Sequence, residues 1–375
     1  MGPAREPPRM LLLCTEVFAN GGIQRFNQTL FAALALLEVR CEVLSLHDSR
    51  ESIGRIEPQP NIRVIGFAGK RHRFAAAAIH ALWRRRYDWV LVGHINLLSM
   101  TAAALAARPA SRAAMLLIAH GIEVWYGINR RRRHALARVS NILCVSGYTR
   151  GRMLEQVPSL HPERLLLFPN ALGRSWSRDQ PCAVPAKLPQ RFILSVTRLQ
   201  KGDRYKGVVS VIEALSMLQD ASMQYRVVGH GDDIAFLKRV ARRFGVEHRV
   251  HFLGGVDDRE LANLYGKCEA FVLPSGNEGF GIVFLEAMFF GAPVIAAAEK
   301  GALDVVKDGE TGLLVRFGDS VALRRAIERL GADAALRAKL SEAGRATVVA
   351  GGAFTFQRFV ERTAEVLEIP RARVA

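Results

Sequence analysis

Two glutamates, Glu278 and Glu286, frame the densest cluster of chemically capable residues in the chain, the run Pro274-Ser-Gly-Asn-Glu278-Gly279-Phe280-Gly281-Ile282-Val-Phe-Leu-Glu286-Ala-Met288. An apolar strand should end at Leu273, followed by a glycine-rich turn and an apolar helix starting near Gly281. Free N–H groups at that helix start, reinforced by the helix dipole, form an anion site suited to a phosphate. Glycines there let backbone approach a ligand closely. Two acceptor-only carboxylates beside an anion site cannot both hold phosphate. They suit hydroxyls on either side of it, those of a hexose and those of a ribose. The plainer alternative is a capping Glu278 and an incidental Glu286. It leaves Glu286 among apolar residues, where an unpaired carboxylate is costly.

A second cluster supplies cations: Arg198 after Ser195-Val-Thr, then Lys201, Arg204-Tyr-Lys206 and Gly207. A strand should end just before Arg198 and a helix begin after Lys206. Arg198 and Lys206 would then face the same strand ends and could hold a diphosphate or offset charge on a departing nucleotide. Alone, the cluster also fits a solvated basic loop. Three first-half features join it. Asn20-Gly21-Gly22 lies between a strand and a helix. His120 ends a strand, before Gly121. Ser146 reads as a helix cap rather than a nucleophile, since no GxSxG surrounds it.

The elements that would position these residues alternate. Strand-like runs at Met10–Thr15, Cys41–Leu46, Ile62–Gly66, Trp89–Val92, Ala114–Ala119 and Ile142–Val145 are separated by helical patterns, among them Ile23–Glu38 and Phe74–Arg86. The stretch 173–190, with Pro181, Pro185 and Pro189, breaks the rhythm and reads as a linker. Six more strands follow, at Phe192–Val196, Gln224–Val228, Val250–Leu253, Ala270–Leu273, Pro293–Ala297 and Gly312–Val315, with helices between them. The expectation is an α/β protein of two Rossmann-like domains facing a central cleft, with ligand at the carboxyl ends of the strands. Residues 1–172 would form the first domain and 191–352 the second. Residues 353–375 would form a helix packing back on the first.

The set Gly21-Gly22, His120, Arg198, Lys206, Gly229-His230-Gly231, Glu278 and Glu286 resembles glycosyltransferase family 4. The match is densest from Arg191 to Val315, through Gly291-Ala-Pro-Val-Ile295 and Asp308-Gly-Glu-Thr-Gly-Leu-Leu314. The resemblance implies a GT-B fold, anomeric retention and no required metal or cofactor. It implies that Glu278 meets donor-sugar hydroxyls and Glu286 the ribose, while Arg198 and Lys206 hold the diphosphate. Backbone at Gly279, Phe280, Gly281 and Ile282 would approach the sugar and β-phosphate. His120 would touch the donor sugar, and Gly21 and Gly22 would line the cleft. The donor would be a UDP- or GDP-sugar and the acceptor a glycan or a lipid-linked glycan, as in cell-surface polysaccharide or lipopolysaccharide synthesis. One departure is Gly301-Ala302, where many relatives carry Gly-Gly, which puts the shape of that loop in question.

Bulk properties narrow the field. Net charge is +17; residues 1–170 hold 23 Lys/Arg against 11 Asp/Glu, so the excess concentrates in the first half. Clusters at Lys70–Arg73, Arg84–Arg86 and Arg130–Arg133 suit an anionic surface. The Ala-rich helix Phe74–Arg86 suggests a peripheral protein on the cytoplasmic face of a membrane. No nucleic-acid module is recognisable and no nucleic-acid partner is expected. Five scattered cysteines read as buried thiols, and no metal-site spacing or Asp-x-Asp triplet occurs. Three rivals remain. A dehydrogenase would use Gly229-His-Gly231, but the third glycine of GxGxxG is Ile234. A nucleotide-sugar epimerase would lack the paired glutamates. A basic non-catalytic binding protein would need no intact site.

Overall fold

A computed structural model describes residues 7–18, 21–53, 59, 61–108, 112–173 and 191–370. Asn20, Cys182 and the proline-rich stretch 174–190 lie outside the described residues. The chain divides into two compact units, Met1–Arg174 with Phe356–Ala375, and Ser175–Thr355.

The first unit is built on seven parallel strands: β1 (Arg9–Cys14), β2 (Arg40–Ser45), β3 (Ile62–Gly66), β4 (Trp89–Val92), β5 (Ala114–Ala119), β6 (Asn141–Cys144) and β7 (Leu165–Leu167). Their order is β3-β2-β1-β4-β5-β6-β7. Leu11, Leu12 and Leu13 are all fully buried. A strand covered on both faces has no solvated side, and so reads as a continuous apolar run rather than an alternating one. The second unit repeats the scheme with β8 (Phe192–Val196), β9 (Gln224–Val228), β10 (Val250–Gly254), β11 (Ala270–Leu273), β12 (Val294–Ala297) and β13 (Leu313–Val315), in the order β10-β9-β8-β11-β12-β13. All pairings are parallel.

Both sheets reverse direction beside their first strand, between β1 and β4 and between β8 and β11. Such a switch point separates the loops that leave neighbouring strands and opens a ligand crevice at their carboxyl ends. The sequence reading left helix Ile95–Ala106 and strand β7 unassigned. The helix is apolar on most sides, because Ile95, Leu97, Leu98, Ala102 and Ala104 are buried, so its period is faint. β7 is three residues long, too short to show one.

The last helix, Phe356–Val366, belongs to the first unit. Phe359 on it is fully buried against Phe168 and Phe26, with ring centroids 4.9 and 5.5 Å away in edge-to-face geometry. Phe26 lies on helix Gly22–Leu36, which follows β1. The end of the chain thus braces the helix that starts at the first switch point. Phe359→Ala is expected to destabilise this unit by about 3–5 kcal/mol, the usual range for deleting a buried aromatic ring. Urea denaturation measures it, and a loss below ~1 kcal/mol would show that the brace is dispensable.

Candidate active site

At the second switch point, two loops are laced together. The chain leaves β8 through Thr197 and Arg198, forms a 3-10 turn at Lys201–Lys206, and passes Gly207 into helix Val208–Ser216. It leaves β11 through Pro274–Gly281 into helix Ile282–Phe289. The Gly276 N–H donates to the Tyr205 carbonyl at 2.8 Å. Gly207 has φ +78°, and a Cβ there would stand 2.4 Å from the Pro274 carbonyl oxygen, so only glycine permits this approach. Lys206 Nζ donates to Glu278 Oε2 at 2.7 Å, with both side chains mostly buried (14% and 13% exposed). The site therefore sets a carboxylate and an ammonium side by side at the strand ends.

Glu278 is held by its own backbone as well. Its carbonyl accepts from the Gly301 N–H at 3.0 Å. A Cβ on Gly301 would overlap the Gly279 carbonyl oxygen at 2.2 Å, whereas Ala302 is buried and starts the short helix Ala302–Val305. The departure from Gly-Gly thus falls on the position that accommodates a methyl group, and the crowded position keeps its glycine. Lys300 ties the turn from the other side, donating to the Gly276 carbonyl at 2.7 Å and to the Asn277 side chain.

Helix Ile282–Phe289 begins at Gly281, φ +92°, with no side-chain cap. Helices Gly22–Leu36 and Val208–Ser216 likewise begin at glycines, Gly21 and Gly207, without a side-chain cap. Six other helix starts are closed by His94, Asn129, Ser146, Asp257, Asp319 and Asp333, whereas those at Lys70, Gly121, Asp233 and Gly301 also lack a side-chain cap. Ser146 is thus a cap, accepting from the Thr149 N–H at 3.1 Å. The helices that start at the two switch points keep their first N–H groups for something other than a side chain.

Arg198 is 61% exposed and is anchored by Asp203, 3.2 Å from Oδ1. Tyr205 donates to the same oxygen at 2.9 Å, and its hydroxyl is pushed up to about 12 by burial and by that bond. Asp203 is buried and Tyr205 half-buried; neither was expected from the sequence, although the run Asp203-Arg-Tyr-Lys206 carries the signal. Arg204, counted in the basic cluster, makes a two-pronged contact with buried Asp233 at 2.7 and 2.8 Å and lies over the Phe236 ring. Its task is structural. Glu286 is 3% exposed, on the buried face of its helix, and accepts from the Tyr265 hydroxyl at 3.0 Å. Phe280 and Ile282 are buried, Phe280 edge-on to Phe354.

Gly229 and Gly231 have a different use from the one a dinucleotide fingerprint would give them. A Cβ on Gly229 would lie 1.8 Å from the Thr197 carbonyl oxygen, and one on Gly231 1.9 Å from that of Leu199. Leu199 N–H donates to the His230 carbonyl at 2.8 Å. These glycines let the loops after β8 and β9 touch, so the dehydrogenase reading loses its motif.

In the first unit, His120 follows β5, and its Nε2 lies 3.2 Å from the carbonyl of Gly93, which follows β4. The Glu123 carboxylate accepts the N–H of His120 at 2.6 Å and of Gly121 at 3.1 Å. The loop after β1 is fixed by Asp48, which accepts from Val17 and Phe18 N–H and from Ser45 Oγ. Gln24 and Asn27, in the helix starting at Gly22, hold Glu16.

A family model described as Glycosyltransferase Family 4 matches residues 20–172, and one described as Glycosyl transferases group 1 matches residues 179–347. The chain belongs to glycosyltransferase family 4. Among curated relatives of this family, a lipopolysaccharide core biosynthesis glycosyltransferase of Rhizobium meliloti is 35% identical over 38% of this chain and 41% of its own length. A GDP-mannose-dependent alpha-(1-6)-phosphatidylinositol monomannoside mannosyltransferase of Mycolicibacterium smegmatis is 32% identical over 64% of this chain and 66% of its own. The matches thus span less than two thirds of these relatives. Among solved structures, Anabaena HepE in complex with UDP and glucose aligns with a TM-score of 0.78 at 20% identity, over 96% of this chain and 99% of that one. Sucrose-phosphate synthase from Thermosynechococcus elongatus aligns with a TM-score of 0.78 at 23% identity, over 96% and 98%. The fold class is GT-B, α/β with two parallel sheets.

Burial, with His94 nearby, lowers the His120 imidazole to about 3, against the raising effect of the Gly93 carbonyl. The native ring is then neutral down to about that pH, while in the unfolded chain it titrates near ~6.5. From about pH 6.5 towards 3 the unfolded state binds a proton that the native state does not. Stability falls as pH falls across that window, by up to ~1.4 kcal/mol per pH unit, and gains nothing from this group above it. His120→Asn should flatten the curve between pH 7 and 5 in urea titrations. An unchanged curve would mean that His120 is not buried neutral.

Proposed function

We propose that this protein is a retaining glycosyltransferase that moves a hexose from a UDP- or GDP-sugar to a glycan or lipid-linked glycan. The observation that carries the reading is the Lys206–Glu278 pair set beside the uncapped start of helix Ile282–Phe289. Glu278 offers an acceptor to sugar hydroxyls. Lys206, exposed Arg198 and the free N–H groups at Gly281 and Ile282 offer donors and positive charge to a diphosphate. Backbone at Gly279 and Phe280 lies between the two. Glu286, steadied by Tyr265, takes the ribose. In the first unit by itself, His120 offers a neutral polar group and the Gly21-Gly22 turn offers backbone N–H groups at the strand ends.

These roles suit a front-face displacement. The bond from the anomeric carbon to the phosphate oxygen breaks as the acceptor oxygen approaches from the same side, and the leaving phosphate takes the acceptor's proton. Arg198, Lys206 and the helix start offset the charge that develops, which is the task a metal performs in other transferases; no metal or other cofactor is needed. An α-linked donor gives an α-linked product. UDP- and GDP-sugars are both supported, because HepE was solved with UDP and glucose and the Mycolicibacterium relative is named for GDP-mannose.

The acceptor side suggests a membrane. Helix Arg71–Arg84 buries Phe74, Ala78, Ala81 and Leu82 and turns Ile79 (39% exposed) and Trp83 (52%) outward among Arg71, Arg73 and Arg84. An apolar pair within a basic surface is the chemistry of an interfacial helix on anionic lipid. We place the protein on the cytoplasmic face of a membrane, in peripheral contact. No helix of the described residues is long and apolar enough to cross one.

Two measurements test these proposals. A thermal-shift panel of UDP- and GDP-sugars should raise the midpoint with one donor, by an amount equivalent to ~2.7 kcal/mol at a hundred times its Kd. Glu278→Gln should then cut transfer about 100-fold or more. Absence of any shift would overturn the donor site, and a shift without transfer to any glycan acceptor would favour a non-catalytic binding protein. Flotation with phosphatidylglycerol vesicles should weaken several-fold in Ile79→Ser/Trp83→Ser; equal binding would remove this helix from the contact.

A further inference from the structure

A cavity of about 380 Å³ opens at the amino-terminal edge of the first sheet, the opposite end of the strands from Gly21 and His120. Arg9 opens β1, Arg40 opens β2 and Arg63 lies near the start of β3; Arg85 closes the circle from the end of helix Arg71–Arg84. Arg9 and Arg40 are register partners on neighbouring parallel strands, as are Glu42 and Arg63. Alternation then puts Arg9, Arg40, Glu42 and Arg63 on one face of the sheet. Like charges directly opposite across a strand pair are destabilising.

The one carboxylate in this lining is paired within it and offsets Arg85. Glu42 Oε2 accepts from Arg85 at 2.9 Å and from the Tyr87 hydroxyl at 2.7 Å. The nearby Asp88 carboxylate accepts the backbone N–H of Arg9 at 2.8 Å. Among the described residues, the Arg40 and Arg63 side chains have no hydrogen-bond or ion-pair partner. Among the described residues of this lining, Arg40 and Arg63 are the positive charges left unpaired. Two exposed guanidinium groups, those of Arg40 and Arg63, on one concave face match the oxygens of a phosphate.

We propose that this cavity is a phosphate-binding site, separate from the donor loops, that takes a phosphate group carried by a lipid headgroup or by a soluble polyphosphate. None of its residues belongs to the set assigned to transfer, so the proposal stands or falls independently of it.

The test is calorimetric titration of the full chain with inorganic tripolyphosphate at low salt, alongside flotation with phosphatidylglycerol vesicles. Each is run on wild type, Arg40→Ala/Arg63→Ala, Arg40→Glu/Arg63→Glu and Arg198→Ala/Lys206→Ala. Arg40 and Arg63 are exposed, so both pairs should keep the wild-type thermal midpoint within a few degrees. Tripolyphosphate binding is expected to weaken at least tenfold in the Arg40/Arg63 variants and to persist in Arg198→Ala/Lys206→Ala. Vesicle binding lost in the same variants identifies the lipid headgroup as the source of the phosphate. Vesicle binding unchanged while tripolyphosphate binding is lost identifies a soluble anion. If the Arg40/Arg63 variants bind both probes as wild type does, or if tripolyphosphate binding is lost only in Arg198→Ala/Lys206→Ala, the proposal is overturned.

Discussion

The contact between the Lys206 ammonium and the Glu278 carboxylate joins two chain segments that leave different strands and are 72 residues apart in sequence. Few charged pairs are held this far from solvent, because removing two ions from water is offset only by good geometry and additional hydrogen bonds. Here the surroundings supply the geometry. Gly207 lies against the Pro274 carbonyl, the Gly276 N–H bonds to Tyr205, and Lys300 closes the far side of the turn. Each of these contacts has its counterpart in a glycine or a short polar side chain, so the loop's composition follows from the need to place one carboxylate beside one ammonium. A ligand bearing hydroxyls next to a diphosphate could exchange with both partners at once, and neither charge would be left buried alone.

The two units solve one structural problem twice. Each begins with three strands laid outward from the first and then reverses, so the first and fourth strands are neighbours whose following loops diverge. The helices at these divergences start at Gly21, Gly207 and Gly281 with no side-chain cap, while six other helix starts are capped by a side chain. With glycine at the cap position, the missing side-chain bond costs only about a few tenths of a kcal/mol. That small loss at Gly21, Gly207 and Gly281 leaves backbone N–H groups at the strand ends open to an anion.

Much of this arrangement was legible in the sequence. Ile62–Gly66, Trp89–Val92, Ala114–Ala119, Phe192–Val196, Gln224–Val228 and Ala270–Leu273 are strands with the bounds expected, and four of them, Trp89–Val92, Ala114–Ala119, Phe192–Val196 and Ala270–Leu273, are the apolar runs with abrupt ends that buried parallel strands require. Pairing across distance was not legible. Nothing local to Tyr265 indicates that it meets Glu286 from another helix. Arg204 shows the converse error. Its type and position fitted a phosphate ligand, but Asp233 lies 29 residues on in the chain and takes both of its prongs. A sequence displays the charge a residue carries, and only the fold displays which opposite charge has already claimed it.

That distinction also separates the cations of the two units. In the second unit, Arg191 pairs with Asp220 and Glu269, Arg198 with Asp203, Arg204 with Asp233, and Lys206 with Glu278. The second half is close to balanced in charge, and those cations are paired with carboxylates of the same unit. The first half carries most of the net +17 with far fewer acidic partners. Its surplus stands at exposed positions such as Arg40, Arg63, Arg71, Arg73 and Arg84. A surplus of one sign opposes compaction through self-repulsion. Its concentration in the first unit, on strand starts and around an outward-facing Ile79–Trp83 pair, therefore argues for anionic surroundings on that side of the protein rather than for a contribution to stability.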